Sequence, residues 1–338
     1  MSRLREALAA ALLSLACIAT KAAGAPAEDT VADFRPRAAE AFRWGDFAEL
    51  QRLQHEAMAR RDRSAEGVTA SDCFSAGLGG VFNGEADKTP PYFEQVERQT
   101  RRWVDDNPQS TLAHALYVRA LYARALNYRG SGYTSMLTEQ ARRDFDKQIT
   151  RAVDHLAAHS TLMFRDSTTH VYALMVGRSV GWPQAQLHAI ALDGLAKGGR
   201  DDAIYEELLV SLLPKWGGSP EAIDAWVREA VERTRATRGT ELYAVLYRFV
   251  ADELAGGLFT RSAANWPKFK QAYGELVAKY PDPIHLNRYA RVACIAQDKA
   301  TSAELLAKIG DAPRLSAWAW GSDGVRNHES CKRWVRGG

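Results

Sequence analysis

Residues 219–239 read SPEAIDAWVREAVERTRATRG, and this stretch decides the fold class. Ile223, Trp226, Val227, Ala230 and Val231 recur at spacings of three and four, which places them along one face of a helix. Ser219 stands where an N-cap oxygen is wanted, Pro220 occupies the first helical position, and Gly239 lies just past the far end. The same grammar repeats outward in both directions. Phe269, Tyr273, Leu276, Val277 and Tyr280 form a second stripe closed by Pro281 and Pro283, and Phe93, Val96, Trp103 and Val104 form a third between Pro90-Pro91 and Asn107-Pro108.

The period-two alternation of half-buried strands is absent, so the chain is expected to be all-α. Short punctuations separate the stripes: Gly130-Ser131-Gly132, Trp182-Pro183, Gly198-Gly199, Pro214 to Pro220 and Gly256-Gly257. Links this short force successive helices side by side as antiparallel hairpins. Repeated along the chain, they predict a stack of hairpins, a tetratricopeptide-like α-solenoid. Leu286 to Gln297 followed by Ala303 to Ile309 shows the unit, and Pro281 to Pro313 comes close to the roughly 34-residue period of such repeats. Ala41 to Met58, with a turn at Trp44-Gly45-Asp46, reads as another hairpin. The expected organisation is a signal peptide over 1–24, an N-terminal hairpin over 25–61, a Gly/Pro-rich connector over 62–91, and the helical-repeat array over 92–338.

The first 25 residues carry Arg3 and Arg5, then a 14-residue apolar or small stretch from Ala7 to Thr20, then Ala22, Ala23, Gly24 and Ala25. That order is the pattern of a secretory signal cut after Gly24. Fourteen helical residues span only about 21 Å, short of a bilayer core of about 30 Å. Lipid anchoring through Cys17 is disfavoured because Ser14 stands where such signals take a branched apolar residue. The expected location is therefore periplasmic or secreted.

Hydrophobic residues at 46% and charged residues at 25% describe a chain that folds, and exclude a disordered or collagen-like one. The net charge of +3 falls to +1 once Arg3, Arg5, Lys21 and Glu6 are removed, so neither nucleic acid nor an anionic membrane is the expected partner.

The run Leu212-Leu213-Pro214-Lys215-Trp216-Gly217-Gly218-Ser219, followed by Ile223 and Trp226, resembles a motif of the bacterial family called domain of unknown function 4034. Tyr280-Pro281, Tyr289-Ala290, Ala293-Cys294, Asp298 and Trp318 are similar to its C-terminal region, and the resemblance spans Ala41 to Trp320. It implies a tetratricopeptide-like helical fold. It implies no established activity and supplies no catalytic residue.

Candidate chemistry is sparse. Trp216, Gly217, Gly218 and Ser219 would suit a recognition loop, but the simpler reading is structural: Pro214 ends one helix, the glycines allow a reversal, Trp216 plugs the gap between hairpins, and Ser219 caps the next helix. His155 and His159 stand four apart on a helix and face one way, yet a helical zinc protease needs Glu where Leu156 stands. Asp154 or Asp166 would be a third ligand, but no spacing selects either. Two ligands are too few for zinc, so no metal is expected. The glycines at 77, 79 and 80 lack the strand and lysine of a phosphate loop. Cys294 beside Ala293 reads as a buried apolar residue, Cys73 and Cys331 as residues that could pair, and Cys331 near His328 and Glu329 as a weak nucleophile candidate. Tyr117, Tyr122 and Tyr128 with Arg119, Arg124 and Arg129 are of binding-surface type, but on so long a helix most of them should line core.

The expected function is thus an exported scaffold binding a protein or peptide without catalysis, with no cofactor. A cell-wall-acting hydrolase or transglycosylase is the alternative. Adjacent Glu206 and Glu207 point apart on a helix and suggest no acid pair. A long groove lined by aromatic and polar groups favours binding; a deep pocket around one buried carboxylate favours catalysis. N-terminal sequencing of the exported product should give a start near Ala25, and soluble cytoplasmic protein retaining Met1 would defeat the export reading.

Overall fold

The computed structural model describes residues 30–85, 87–129, 137–198, 202–253, 257–319 and 323–337. The expected signal segment with Cys17, the turn at Gly130-Ser131-Gly132, Gly199, Gly256 and Trp320 lie outside these ranges. Among the described residues the protein is all-α, with no strand beyond an isolated bridge between Arg63 and Thr69.

Helices α1 (Phe34–Trp44), α2 (Phe47–Ala59), α3 (Ala70–Phe82), α4 (Pro90–Asp106), α5 (Thr111–Arg129) and α6 (Glu139–Ala158) lead into the one-turn α7 (Ser160–Met163) and α8 (His170–Ser179). Then come α9 (Gln184–Ala196), α10 (Ala203–Ser211), α11 (Pro220–Arg238), α12 (Glu241–Glu253) and α13 (Trp266–Lys279). The series closes with α14 (Pro283–Ile295), α15 (Lys299–Ile309) and α16 (Gly324–Arg336). Packing follows chain order: α4 on α5, α5 on α6, α9 on α10, α11 on α12, α14 on α15. Contacts between α1 and α3, α8 and α10, and α10 and α12 bind one hairpin to the next, as a helical-repeat stack requires.

The capping signals act as read. Ser219 Oγ accepts from Ala222 N at 3.2 Å, Asp46 Oδ1 from Glu49 N at 3.0 Å, and Gly45 takes the left-handed conformation that ends α1. Two apolar cores result. One draws on Val31 to Val176, the other on Leu174 to Cys331. Helix α8 serves both, giving Ala173 and Val176 to the first and Leu174 to the second, while Trp182 and Ile190 pack against each.

Two expectations change. Residues 62–91 do not merely connect, because they contain α3, whose Phe74, Leu78, Val81 and Phe82 are buried in the first core. Its glycines disguise it in the sequence. Gly77 faces the backbone of α1, where a Cβ would run into the carbonyl oxygen of Arg35. The cysteine pairing also differs: Cys294 on α14 is bonded to Cys331 on α16, with Cα atoms 6.0 Å apart, and among the described residues Cys73 is the free thiol. Cys331 is therefore no nucleophile, and a link spanning 37 residues contributes about 4 kcal/mol in the chain-entropy picture. The stack also carries contacts between elements far apart in the chain. Asp282 N donates to Ala65 O at 3.3 Å and His285 Nε2 donates to Glu66 O at 3.0 Å, so the loop before α3 is tied to the start of α14.

Gly77→Ala should lower stability by about 1–3 kcal/mol, the usual cost of overpacking. Gly79, on the same helix with open space around it, should gain up to about 1 kcal/mol when replaced by alanine. Chemical denaturation of both variants checks the pair, and equal shifts would contradict the packing of α3 on α1.

Candidate functional site: an arginine-lined cleft

Two adjoining cavities, of about 380 and 750 Å³, share a wall formed by Ser75, Ala203 and Glu206. Together they make a cleft between α3, the N-terminal end of α10, α12 and the α13 to α14 corner. Arg119 of α5 lines the smaller part, and Arg248 of α12 and Arg288 of α14 line the larger, with Arg35 of α1 at its edge. None of these four arginines is within ion-pair distance of a carboxylate among the described residues, but Glu66, Glu206 and Asp282 line the larger part with them, and the charges of Glu66 and Asp282 act on Arg288. Arg119 is buried: one terminal nitrogen donates to Asn83 Oδ1 at 2.5 Å, and the other makes no hydrogen bond. Its guanidinium lies over the rings of Phe82 and Tyr122, and burial lowers its pKa. Burial and the neighbouring charge of Arg248 lower that of Arg288 in the same way. Phe249, Tyr273 and Tyr280 supply aromatic surface beside them.

The floor is held by a charge network. Asp72 Oδ2 accepts from Thr69 N at 2.9 Å and Thr69 Oγ1 at 2.7 Å, the capping box that starts α3. Its Oδ1 accepts from Asp202 N at 2.8 Å, which fixes the entry to α10. Asp202 binds Arg238, whose Nε donates to Glu241 Oε1 at 2.5 Å. Glu241 is fully buried and also meets Lys279 Nζ at 3.2 Å and the Tyr280 hydroxyl at 3.4 Å. Burial, with the charge of Asp202 beside it, raises the pKa of Asp72. This makes Asp72 the cleft's best candidate for a general acid, but both of its oxygens are taken by protein donors.

The candidates read from the sequence scatter, and only some meet. Trp216 is half-buried at the edge of the second core, with the guanidinium groups of Arg129 and Arg178 5.7 and 5.3 Å from its ring centroid. It packs against the core where the sequence reading placed a plug between hairpins, but it is only partly buried there. Gly217 takes φ +82°, a Cβ on Gly218 would strike the Leu212 carbonyl oxygen, and Ser219 caps α11, so the loop does the structural work of a reversal. Glu207 pairs with Arg178, while Glu206 lines the cleft. Tyr117 and Tyr122 are core residues. His155 and His159 do come together, and His114 of α5 joins them, a third imidazole that no sequence spacing indicates. The cleft itself is not legible in the sequence, because its arginines come from four helices at unrelated positions.

No family model, curated protein or solved structure matches this chain.

Replacing Arg238 with methionine leaves Asp202 and Glu241 without their main cation, and the variant should lose about 3–5 kcal/mol. Urea denaturation measures this, and a loss below about 1 kcal/mol would show that the network does not hold the cleft floor.

Proposed function

We propose that the protein is an exported helical-repeat scaffold that binds, without catalysis, a peptide segment bearing acidic side chains or a free C-terminal carboxylate. The observation that carries this reading is the set of guanidinium groups, Arg119, Arg248 and Arg288, that line one cleft with no carboxylate paired to them at ion-pair distance among the described residues. A buried cation without a counter-charge, as Arg119 is among the described residues, is costly, and an incoming carboxylate relieves that cost with bidentate, charge-assisted hydrogen bonds. Aromatic neighbours add contact area of the kind favoured at binding hot spots. The Cys294–Cys331 disulfide suits an oxidising compartment and supports export. Among the described residues no helix is long and apolar enough to cross a membrane. The motif around Trp216 supports kinship with domain of unknown function 4034, whose tetratricopeptide-like fold would serve the same role.

The hydrolase alternative rests on Asp72, whose raised pKa is explained by burial and Asp202 and whose oxygens serve a helix cap and the α10 entry. Fluorescence polarisation with short Glu/Asp-rich and Lys-rich peptides separates the readings. The acidic peptides should bind more tightly, and their binding should weaken as salt is raised. Arg248→Ala and Arg288→Ala should each weaken them by about tenfold or more, the usual result of truncating one partner of a buried charge pair. Equal binding of both peptide sets, or cleavage of cell-wall glycan that is lost in Asp72→Asn, would overturn the proposal.

A further inference from the structure

We propose that His114, His155 and His159 form a three-histidine site for a late first-row divalent metal ion, with zinc the first expectation. The site lies apart from the arginine-lined cleft, at the packing seam of α5 and α6, and does not depend on the cleft's role. His155 and His159 are one turn apart at the end of α6, and the α5 to α6 contact brings His114 beneath them. One ligand nitrogen from each ring lies within 4.8 Å of the others.

The hydrogen bonds arrange the lone pairs. His114 Nε2 lies 3.1 Å from the carbonyl oxygen of Pro108, which can only accept, so Nε2 carries the proton and Nδ1 presents its lone pair. A backbone carbonyl on the far nitrogen is the usual outer-shell support of a metal-bound histidine. His155 Nε2 sits 2.9 Å from His114 Nδ1. Two donors of a tetrahedral zinc, each at about 2.0–2.1 Å from the ion, stand about 3.3 Å apart, so a small outward shift of these rings admits the ion once His155 carries its proton on Nδ1. The His159 ring centroid is 4.5 Å from those of both His114 and His155. His159 and His155 are partly exposed, which leaves a way in and a fourth position for water.

The chemistry of the donors selects the ion. Three imidazoles without a carboxylate suit zinc, copper, nickel or cobalt, and not the oxygen-seeking magnesium or calcium. Arg101, whose charge acts on His114 and His155, is paired with Asp105 at 2.9 Å, and Arg151 is engaged by Glu97 and the Tyr117 hydroxyl. The sequence alone supplies two ligands, below the minimum for zinc; the fold supplies the third.

Chelator-treated full-length protein titrated with Zn²⁺ by calorimetry, alongside Mg²⁺, tests the proposal. One zinc per chain should bind, magnesium should not, and Co²⁺ should show visible d–d absorption. His159→Ala, at a partly exposed helix end, should weaken zinc by more than the roughly 10- to 100-fold seen on losing an outer-shell partner, and His155→Asn should do the same. Cys73→Ser should leave the affinity unchanged. No zinc binding by the wild type, or binding that survives both histidine variants or is lost with Cys73, would overturn the assignment.

Discussion

Arg238 lies at the end of α11, buried between Asp202 and Glu241, and through these two carboxylates it fixes where three helices begin or end. Asp202 precedes α10 and is held from the other side by Asp72 of α3; Glu241 opens α12 and reaches Lys279 and Tyr280 at the end of α13. The N-terminal hairpins and the C-terminal half of the stack are therefore clamped at one charged point. Burying such a group costs several kcal/mol per ion, offset only when geometry and hydrogen bonding are nearly complete. Here each carboxylate oxygen of Asp72, Asp202 and Glu241 has a donor. What the network secures is a particular arrangement of helix ends, more than net stability.

That clamp changes what a helical stack can do. In a simple array each repeat touches its neighbours alone, and no pocket encloses residues far apart in sequence. Here the loop carrying Ala65 and Glu66 meets Asp282 and His285, and the Glu66 to His285 hydrogen bond spans 219 residues of chain. The result is a walled cleft. For the ligand proposed above, a preformed cleft would lower the ordering cost of binding, so that more of the contact energy would appear as affinity.

The helices are legible in the sequence because their information is local. Ser219, Pro220 and Gly239 bracket α11, and the Trp44-Gly45-Asp46 turn separates α1 from α2. Helix α3 is not, since Gly77, Gly79 and Gly80 argue against a helix by propensity, whereas tertiary contact demands at least one of them. The capping box Thr69 to Asp72 is a usable sign of its start. Long-range pairings are beyond reach in principle. Nothing in the spacing of Cys73, Cys294 and Cys331 chooses a partner, and nothing ties His114 to a histidine pair whose first member is 41 residues later.

The two sites also differ from the clamp in how their charge is balanced, and this bears on function. Within the clamp, cations and carboxylates answer one another, so the protein itself satisfies them. In the cleft Arg119 is desolvated without such an answer among the described residues, Arg288 is desolvated beside Arg248 with Glu66 and Asp282 as its nearby opposite charges, and at the α5 to α6 seam three imidazoles bring their nitrogens within 4.8 Å of one another. Folded proteins satisfy nearly all buried polar groups. Under the two proposals above, such partners come from other molecules: a carboxylate for the guanidinium groups, a metal ion for the imidazoles. Each ligand would bind the folded chain and not the unfolded one, so occupancy and stability rise together.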